Sequence, residues 1–241
     1  MLAVIMAGGE GTRLLPLTET IPKPMLNLGH KPILEIVVRQ LKNEGFSDLV
    51  ITTGYKGRVI KEYFNNGSKF KVNIQYTIEK KKLGTVGALS LIKKKILSPF
   101  LVVNGDILTQ ESFASIIKYH NKNNADLTLG IVKYGFDIPY GVVNKKGNIL
   151  EDIDEKPRLL FEIGAGIYVF SPDVLKYIPY NQYLDLNEFL KILKNKEHSI
   201  VCYNVTKYWK DIGIKKDYDD AQRDVKSWTM SQLYHLAGET D

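Results

Sequence analysis

Close behind an apolar start, the chain places Ala7-Gly8-Gly9-Glu10-Gly11-Thr12-Arg13 and then Lys23, the latter between Pro22 and Pro24. Glycines after a strand let the backbone approach phosphates and turn its N–H groups toward them, while Arg13 and Lys23 supply fixed positive charge. The combination reads as an anion cradle. Glycines alone could mark only a tight turn, and a loop lysine could be only a solvated one. Lys23, however, has no evident packing duty between two prolines, which favours a functional role. Two other glycine loops do not fit. A dinucleotide fingerprint opens a helix at once, whereas Gly9-Glu10-Gly11 runs into a proline-bearing loop; a Walker-type loop ends in Gly-Lys-Ser/Thr, where this chain has Gly11-Thr12-Arg13. A second group is Asn104-Gly105-Asp106, just past the apolar run Phe100 to Val103. A carboxylate there faces the crevice at the C-terminal end of a parallel strand, unless it is only a turn or cap residue before a helix expected near Glu111.

These groups need a scaffold. Leu2 to Met6 is an unbroken apolar run, as in a strand covered on both faces. From Pro32, Ile33, Ile36, Val37 and Leu41 recur at helical spacing, with Gly45 as the stop. Strands are expected at Asp48 to Thr53, Val72 to Thr77 and Pro99 to Val103, with helical segments at Arg58 to Phe64 and Gly84 to Lys94. The alternation predicts an α/β fold, a mainly parallel sheet wrapped by helices. After Lys133 the texture changes to short strands and turns: Gly141 to Asn144, Ile149 to Glu155 and Gly166 to Phe170 imply a partly antiparallel layer. Leu186, Phe189, Leu190 and Leu193 mark one more helix, and Lys215 to Leu236 reads as a terminal helical segment.

Of the 241 residues, 44% are hydrophobic and 25% charged, an ordinary globular composition with a core to bury. Cys202 is the sole cysteine, so neither an internal disulfide nor a thiol zinc cluster is available, and redox chemistry is not expected. The apolar start lacks a preceding basic run and is too short for a signal core or a membrane span, so a cytoplasmic location is expected and no membrane partner. A net charge of +6 suits phosphorylated small molecules. The runs Lys80-Lys81-Lys82 and Lys93-Lys94-Lys95 have no interleaved aromatic platform for bases, which argues against nucleic acid.

AVIMAGGEGTRLLPLTETIPKPML resembles the signature of the sugar-1-phosphate nucleotidyltransferases. Later motifs of that family follow in order: LGTVGAL (Leu83 to Leu89), VVNGDIL (Val102 to Leu108), IPYGVV (Ile138 to Val143), EKP (Glu155 to Pro157), GAGIYVFSP (Gly164 to Pro172) and YWKDIG (Tyr208 to Gly213). The match runs from Leu2 to about Ala221. It implies a Rossmann-like nucleotide-diphospho-sugar transferase fold in a single unit. Residues of about 1–133 form a nucleotide-binding half, about 134–225 a sugar-phosphate-binding half, and 226–241 a tail.

The resemblance also implies roles. Asp106 and Asp211 would hold Mg²⁺, whose preference for hard oxygen ligands they meet. Arg13 and Lys23 would grip the triphosphate, with Ala7, Gly8, Gly9, Gly11 and Thr12 in backbone contact, and Asn104 beside them. Glu79, Gly84 and Thr85 would meet the base. Lys156 would take the phosphate of the sugar substrate, Glu155 the sugar hydroxyls, and Gly141 would leave room for the ring. Gly164 stands where asparagine is common, which points to a sugar other than the usual hexose. The expected partners are a nucleoside triphosphate and a sugar 1-phosphate. LGTVGAL is nearer the guanylyltransferase version of its motif, which favours GTP. The chain also resembles the transferase portion of guanylyltransferases acting on amino sugars for bacterial surface nonulosonic acids. The long C-terminal β-helical domain of some relatives is missing, so acyl transfer is not expected.

Three rivals remain at this level: a cytidylyl-, uridylyl- or thymidylyltransferase acting on another acceptor such as phosphocholine, a binding-only regulatory relative, and a glycosyltransferase. Joint retention of Lys23, Asp106, Lys156 and Asp211 speaks against the binding-only reading. The loop with Arg13 and Lys23 suits a triphosphate better than a nucleotide diphosphate sugar. A homo-oligomer is allowed, the residues from Trp228 on being free to pack on the body or on a partner subunit.

Overall fold

The computed structural model describes residues 1–229 and Gln232. In chain order the strands are β1 (Leu2–Ala7), β2 (Asn27–Leu28), β3 (Lys31–Pro32), β4 (Asp48–Thr53), β5 (Asn73–Ile78), β6 (Phe100–Asn104), β7 (Ile107–Thr109), β8 (Leu127–Asp137), β9 (Val142–Lys146), β10 (Ile149–Asp154), β11 (Arg158–Phe170), β12 (Ile200–Asn204) and β13 (Trp209–Asp211). The α-helices are α1 (Ile33–Asn43), α2 (Gly57–Phe64), α3 (Gly84–Gly87), α4 (Phe113–Lys122), α5 (Leu186–Asn195) and α6 (Lys215–Lys226).

Seven strands make the main sheet in the order β12-β8-β11-β6-β1-β4-β5. β1 is parallel to both β4 and β6, and β4 to β5, which brings the C-terminal ends of these strands to one edge. Helices cover both faces, so β1 has no solvent side to mark with polar residues, and Ala3, Val4 and Ile5 are fully buried. β11 runs antiparallel between β6 and β8, and β12 returns parallel to β8. The sheet is therefore mixed and mainly parallel, and the antiparallel layer is the small β9–β10 hairpin.

Local chemistry accounts for the helix ends. The α1 stripe of Ile33, Ile36, Val37 and Leu41 is buried, and Gly45 at φ +87° takes the left-handed position after the helix. Asp185 caps α5 by accepting the N–H of Glu188 at 2.8 Å. One core cluster gathers Phe46, Phe64 and Phe113, and another Phe100, Phe170 and Phe189.

Several elements differ from the sequence expectation. The helix expected over Gly84 to Lys94 is a single turn, α3, followed by a 3-10 turn to Leu91. The N–H groups of Val86 and Gly87 both bond the carbonyl of Leu184, so this segment serves as a dock, and Lys93-Lys94-Lys95 has no apolar stripe to prolong it. β8 and β12 escape the sequence reading: the alternation of β8 changes phase between Ile131 and Val132, and β12 is a short run without one. β11 begins at Arg158, well before Gly166, because it pairs with all of β8. Residues 133 and 134 both lie within β8. The terminal helix is described to Lys226; the remainder of the segment expected to reach Leu236, and with it most of the tail, lies outside the described residues. No helix among the described residues is long and apolar enough to cross a membrane.

Candidate active site

The loops at the shared strand edge line a cleft of about 750 Å³. Gly8, Gly9, Gly11, Thr12, Arg13 and Lys23 form one side; Glu79, Gly84 and Thr85 form another; Asn104 and Asp106 close the floor. Ala7 ends β1 beneath them, buried and in register with Thr53 of β4. The glycines here answer to specific crowding. A Cβ on Gly8 would collide with the Glu79 carboxylate, and one on Gly54 would sit 2.9 Å from the Gly8 carbonyl oxygen. Gly11 has φ +66°, which a side chain would strain.

Two aspartates distant in sequence meet through a short strand pair. β13 is antiparallel to β7 with Asp211 opposite Ile107, and the Ile212 N–H bonds the Asp106 carbonyl at 3.1 Å. Lys23 reaches both carboxylates: its Nζ is ion-paired with Asp106 and lies 3.6 Å from Asp211 Oδ1. The lysine that the sequence leaves without a packing duty is 8% exposed, buried in a 3-10 turn between its prolines. Burial and the neighbouring Asp106 charge push the Asp211 carboxyl above its ordinary value, against the opposing pull of Lys23 and Arg13. Burial, with these two carboxylates adding to it, also pushes the Tyr168 hydroxyl up to about 12.

The site has unused ligand capacity. Asp106 Oδ1 and Asp211 Oδ1 are buried without a hydrogen-bond partner. Buried carboxylate oxygens without a hydrogen-bond donor are costly, and Lys23 offsets that cost only in part, which leaves room for a further cation. Two hard oxygen donors with room left for waters and phosphates fit Mg²⁺. Among the described residues no cluster of three or more His, Cys, Asp or Glu side chains offers a closed metal cage.

The residues expected to meet the sugar phosphate stand apart from the cleft. Gly141 packs by Glu155, where a Cβ would lie 3.1 Å from the carboxylate, and Lys156 Nζ is 3.9 Å from Glu155 Oε1. Glu155 and Lys156 are exposed at the turn from β10 into β11, Lys156 with φ +49°. Gly164, opposite Ile131 in β11, is exposed with open space around it. None of the four lines the cleft.

The cleft also contains residues missed by the sequence reading: Tyr55, Lys80 to Lys82, and above all Tyr183. Tyr183 is 59% exposed, and its segment is fastened to the Leu83–Gly87 loop. The Leu184 N–H bonds Leu83 O at 2.9 Å, and Leu184 O accepts from Val86 and Gly87 at 3.2 and 3.0 Å. The signal available in sequence was an aromatic just ahead of the Asp185 cap, too common a pattern to single out.

The matching family model, nucleotidyl transferase, covers residues 2–227, and the chain belongs to that family. It is 34% identical to the mannose-1-phosphate guanyltransferase of Yarrowia lipolytica, over 90% of this chain and 62% of that protein. It is also 34% identical to the UTP–glucose-1-phosphate uridylyltransferase of a Synechocystis strain, over 94% and 64%. The chain thus spans less than two thirds of the length of these curated relatives. Among solved structures, HddC from Yersinia pseudotuberculosis complexed with GMP-PN aligns with TM-score 0.71 and 26% identity, over 93% of this chain and 99% of that one. A putative glucose-1-phosphate thymidylyltransferase from Bacillus anthracis, in complex with a sucrose, shares the fold at TM-score 0.77 and 21% identity, over 98% and 99%.

Proposed function

We propose that the chain transfers a nucleoside monophosphate from a nucleoside triphosphate, GTP in preference, to a sugar 1-phosphate, releasing pyrophosphate. The observation that carries this reading is the junction of the glycine loop with Lys23 and Asp106 in one cleft, where Asp211 comes within 3.6 Å of the same lysine. A sugar phosphate is already ionised near neutral pH, so the reaction asks for alignment and charge neutralisation more than for proton transfer. In this reading the loop N–H groups and Arg13 hold the phosphates, and Lys23 moves its charge from the aspartates toward the triphosphate. Asp106 and Asp211 would hold Mg²⁺, which when bound neutralises phosphate charge. Lys156 and Glu155 would receive the acceptor on the side of the arm.

Base choice falls to Glu79 and Tyr183. Guanine presents its N1–H and N2–H donors side by side, and an acceptor-only carboxylate can take both. Burial pushes the Glu79 carboxyl up, with the Leu83 N–H opposing, so its proton affinity is already raised for such partners. Tyr183 offers an aromatic wall on which a base can stack. The guanyltransferase relatives support the GTP preference, while the uridylyltransferase relative keeps UTP in the panel. Pyrophosphate release with Mg²⁺ tests the reading, crossing GTP, CTP, UTP, dTTP and ATP against hexose and amino-sugar 1-phosphates and phosphocholine. Release dependent on GTP and one sugar 1-phosphate is expected; a folded protein that binds nucleotide yet is silent across the grid would be a binding-only relative.

A further inference from the structure

β8 and β11 leave the sheet together as a two-stranded ribbon, in register Val132 with Ile163, Tyr134 with Phe161, and Phe136 with Leu159. Directly opposed residues share a face and alternate residues along a strand share it too, so these six side chains form one apolar stripe. The other face carries Lys133, Asp137, Arg158 and Glu162, with Leu160, 68% exposed, the one large apolar side chain among them, and Arg158 lying over Gly135. Val132 packs against the main core, but further out Tyr134 is 50% exposed, Phe136 57%, Leu159 40% and Phe161 53%. The adjoining hairpin adds the register pair Val143 and Ile153, 56% and 50% exposed. A ribbon patterned apolar on one side and charged on the other is built to be covered.

Charge selects the cover. Residues 132–163 hold five basic and six acidic side chains, while the whole chain is +6. The arm is thus the near-neutral part of a basic molecule. An acid-leaning arm gives no attraction to nucleic acid or an anionic membrane. Two copies of the chain repel over most of their surface and least here. At half exposure, three aromatics and a leucine leave roughly 400 Å² per chain, so these four alone give a two-fold contact roughly 800 Å², and the rim must supply the rest of the roughly 1,200 Å² at which stable interfaces begin. A stripe of this kind is self-complementary, as a two-fold contact requires.

We propose that the apolar face of the β8–β11 ribbon is the contact between two copies of this chain, paired ribbon to ribbon. Because the ribbon begins at the Glu155-Lys156 turn, the contact also steadies the segment read above as the acceptor side, although the pairing itself does not depend on that reading.

Analytical ultracentrifugation of the full chain at micromolar concentration tests the pairing. The wild type is expected to sediment at twice the 27.4 kDa chain mass. Phe136→Lys and, separately, Phe161→Asp should sediment as monomers with unchanged circular dichroism, while Leu160→Lys, on the charged face, should stay dimeric. A wild type that is monomeric throughout would overturn the proposal, as would a dimer indifferent to both ribbon substitutions.

Discussion

The carbonyl oxygen of Leu184 lies 2.7 Å from the position a Cβ on Gly84 would occupy, and Gly84 itself has φ +72°. The glycine of the LGTVG motif thus admits a backbone from the other half of the chain. Gly84→Ala is expected to cost about 1–3 kcal/mol from strain and crowding. It should also raise KM for the triphosphate, because Tyr183 loses its seat. Urea melts and steady-state kinetics on the same preparation check both effects, and a fully stable variant with unchanged KM would separate the dock from the site.

Lys23 holds apart two carboxylates that otherwise face one another. Lys23→Met should lower kcat/KM by about 10²–10³-fold, the scale of losing one charge-stabilising group. Without divalent metal it should also destabilise the fold by about 1 kcal/mol or less, since two partly exposed carboxylates are left with a repulsion that solvent screens. Thermal melting with and without MgCl₂ reads this: magnesium should restore more stability to the variant than it adds to the wild type.

Asp211→Asn removes the carboxylate whose ionisation is opposed by burial and by Asp106. The variant should melt higher than the wild type in EDTA, lose most of its melting response to magnesium, and lose turnover. Such a trade of stability for function is common where like charges are held together at a site.

Glu79→Gln keeps the shape but replaces one acceptor by a donor. The ratio of kcat/KM for GTP over UTP should fall by 10-fold or more, as unmatched polar groups at a specificity contact are costly. Tyr183→Ala should instead raise KM for all triphosphates by about 5- to 50-fold, the worth of one stacked aromatic, with Tyr183→Phe close to wild type.

The pH dependence of stability should carry the mark of Glu35, buried on α1. Burial alone would raise its pKa, but the Tyr63 hydroxyl, Arg39 at 2.7 Å and Lys31 at 3.2 Å outweigh it and the net shift is downward. A depressed carboxyl contributes stability above its unfolded value and loses it as the pH falls past that value, about 4.3, toward the folded one. Urea midpoints measured from pH 6 to pH 3 should fall less steeply in Glu35→Gln, from a lower starting point.

The glycine-loop side of the cleft is legible in sequence because it is built locally: glycines, Arg13 and Lys23 follow a single strand, and Asp106 follows another. The parallel core is legible for the same reason, each strand being an uninterrupted apolar run. Asp211 is different. Its place beside Asp106 depends on β13 pairing with β7, a contact between remote three-residue strands, and only family resemblance pointed to it. The burial of Lys23 could not be read from its polar, proline-flanked setting, because its partners arrive from elsewhere. Tyr183 needed the dock between Leu184 and Leu83–Gly87. The ribbon hid because the alternation of β8 changes phase between Ile131 and Val132, so neither half is long enough on its own to mark an eleven-residue strand.

The dock also bears on how a chain built this way diverges. Tyr183 projects from a segment fastened by its neighbours' backbone groups, while the phosphate loop and the aspartates rest on β1, β6, β7 and β13. Mutation can therefore exchange the aromatic side chain at the cleft without touching the strands beneath it. On the proposed function, a lineage built this way can try new nucleobases by single exposed substitutions at Tyr183, at little risk to folding.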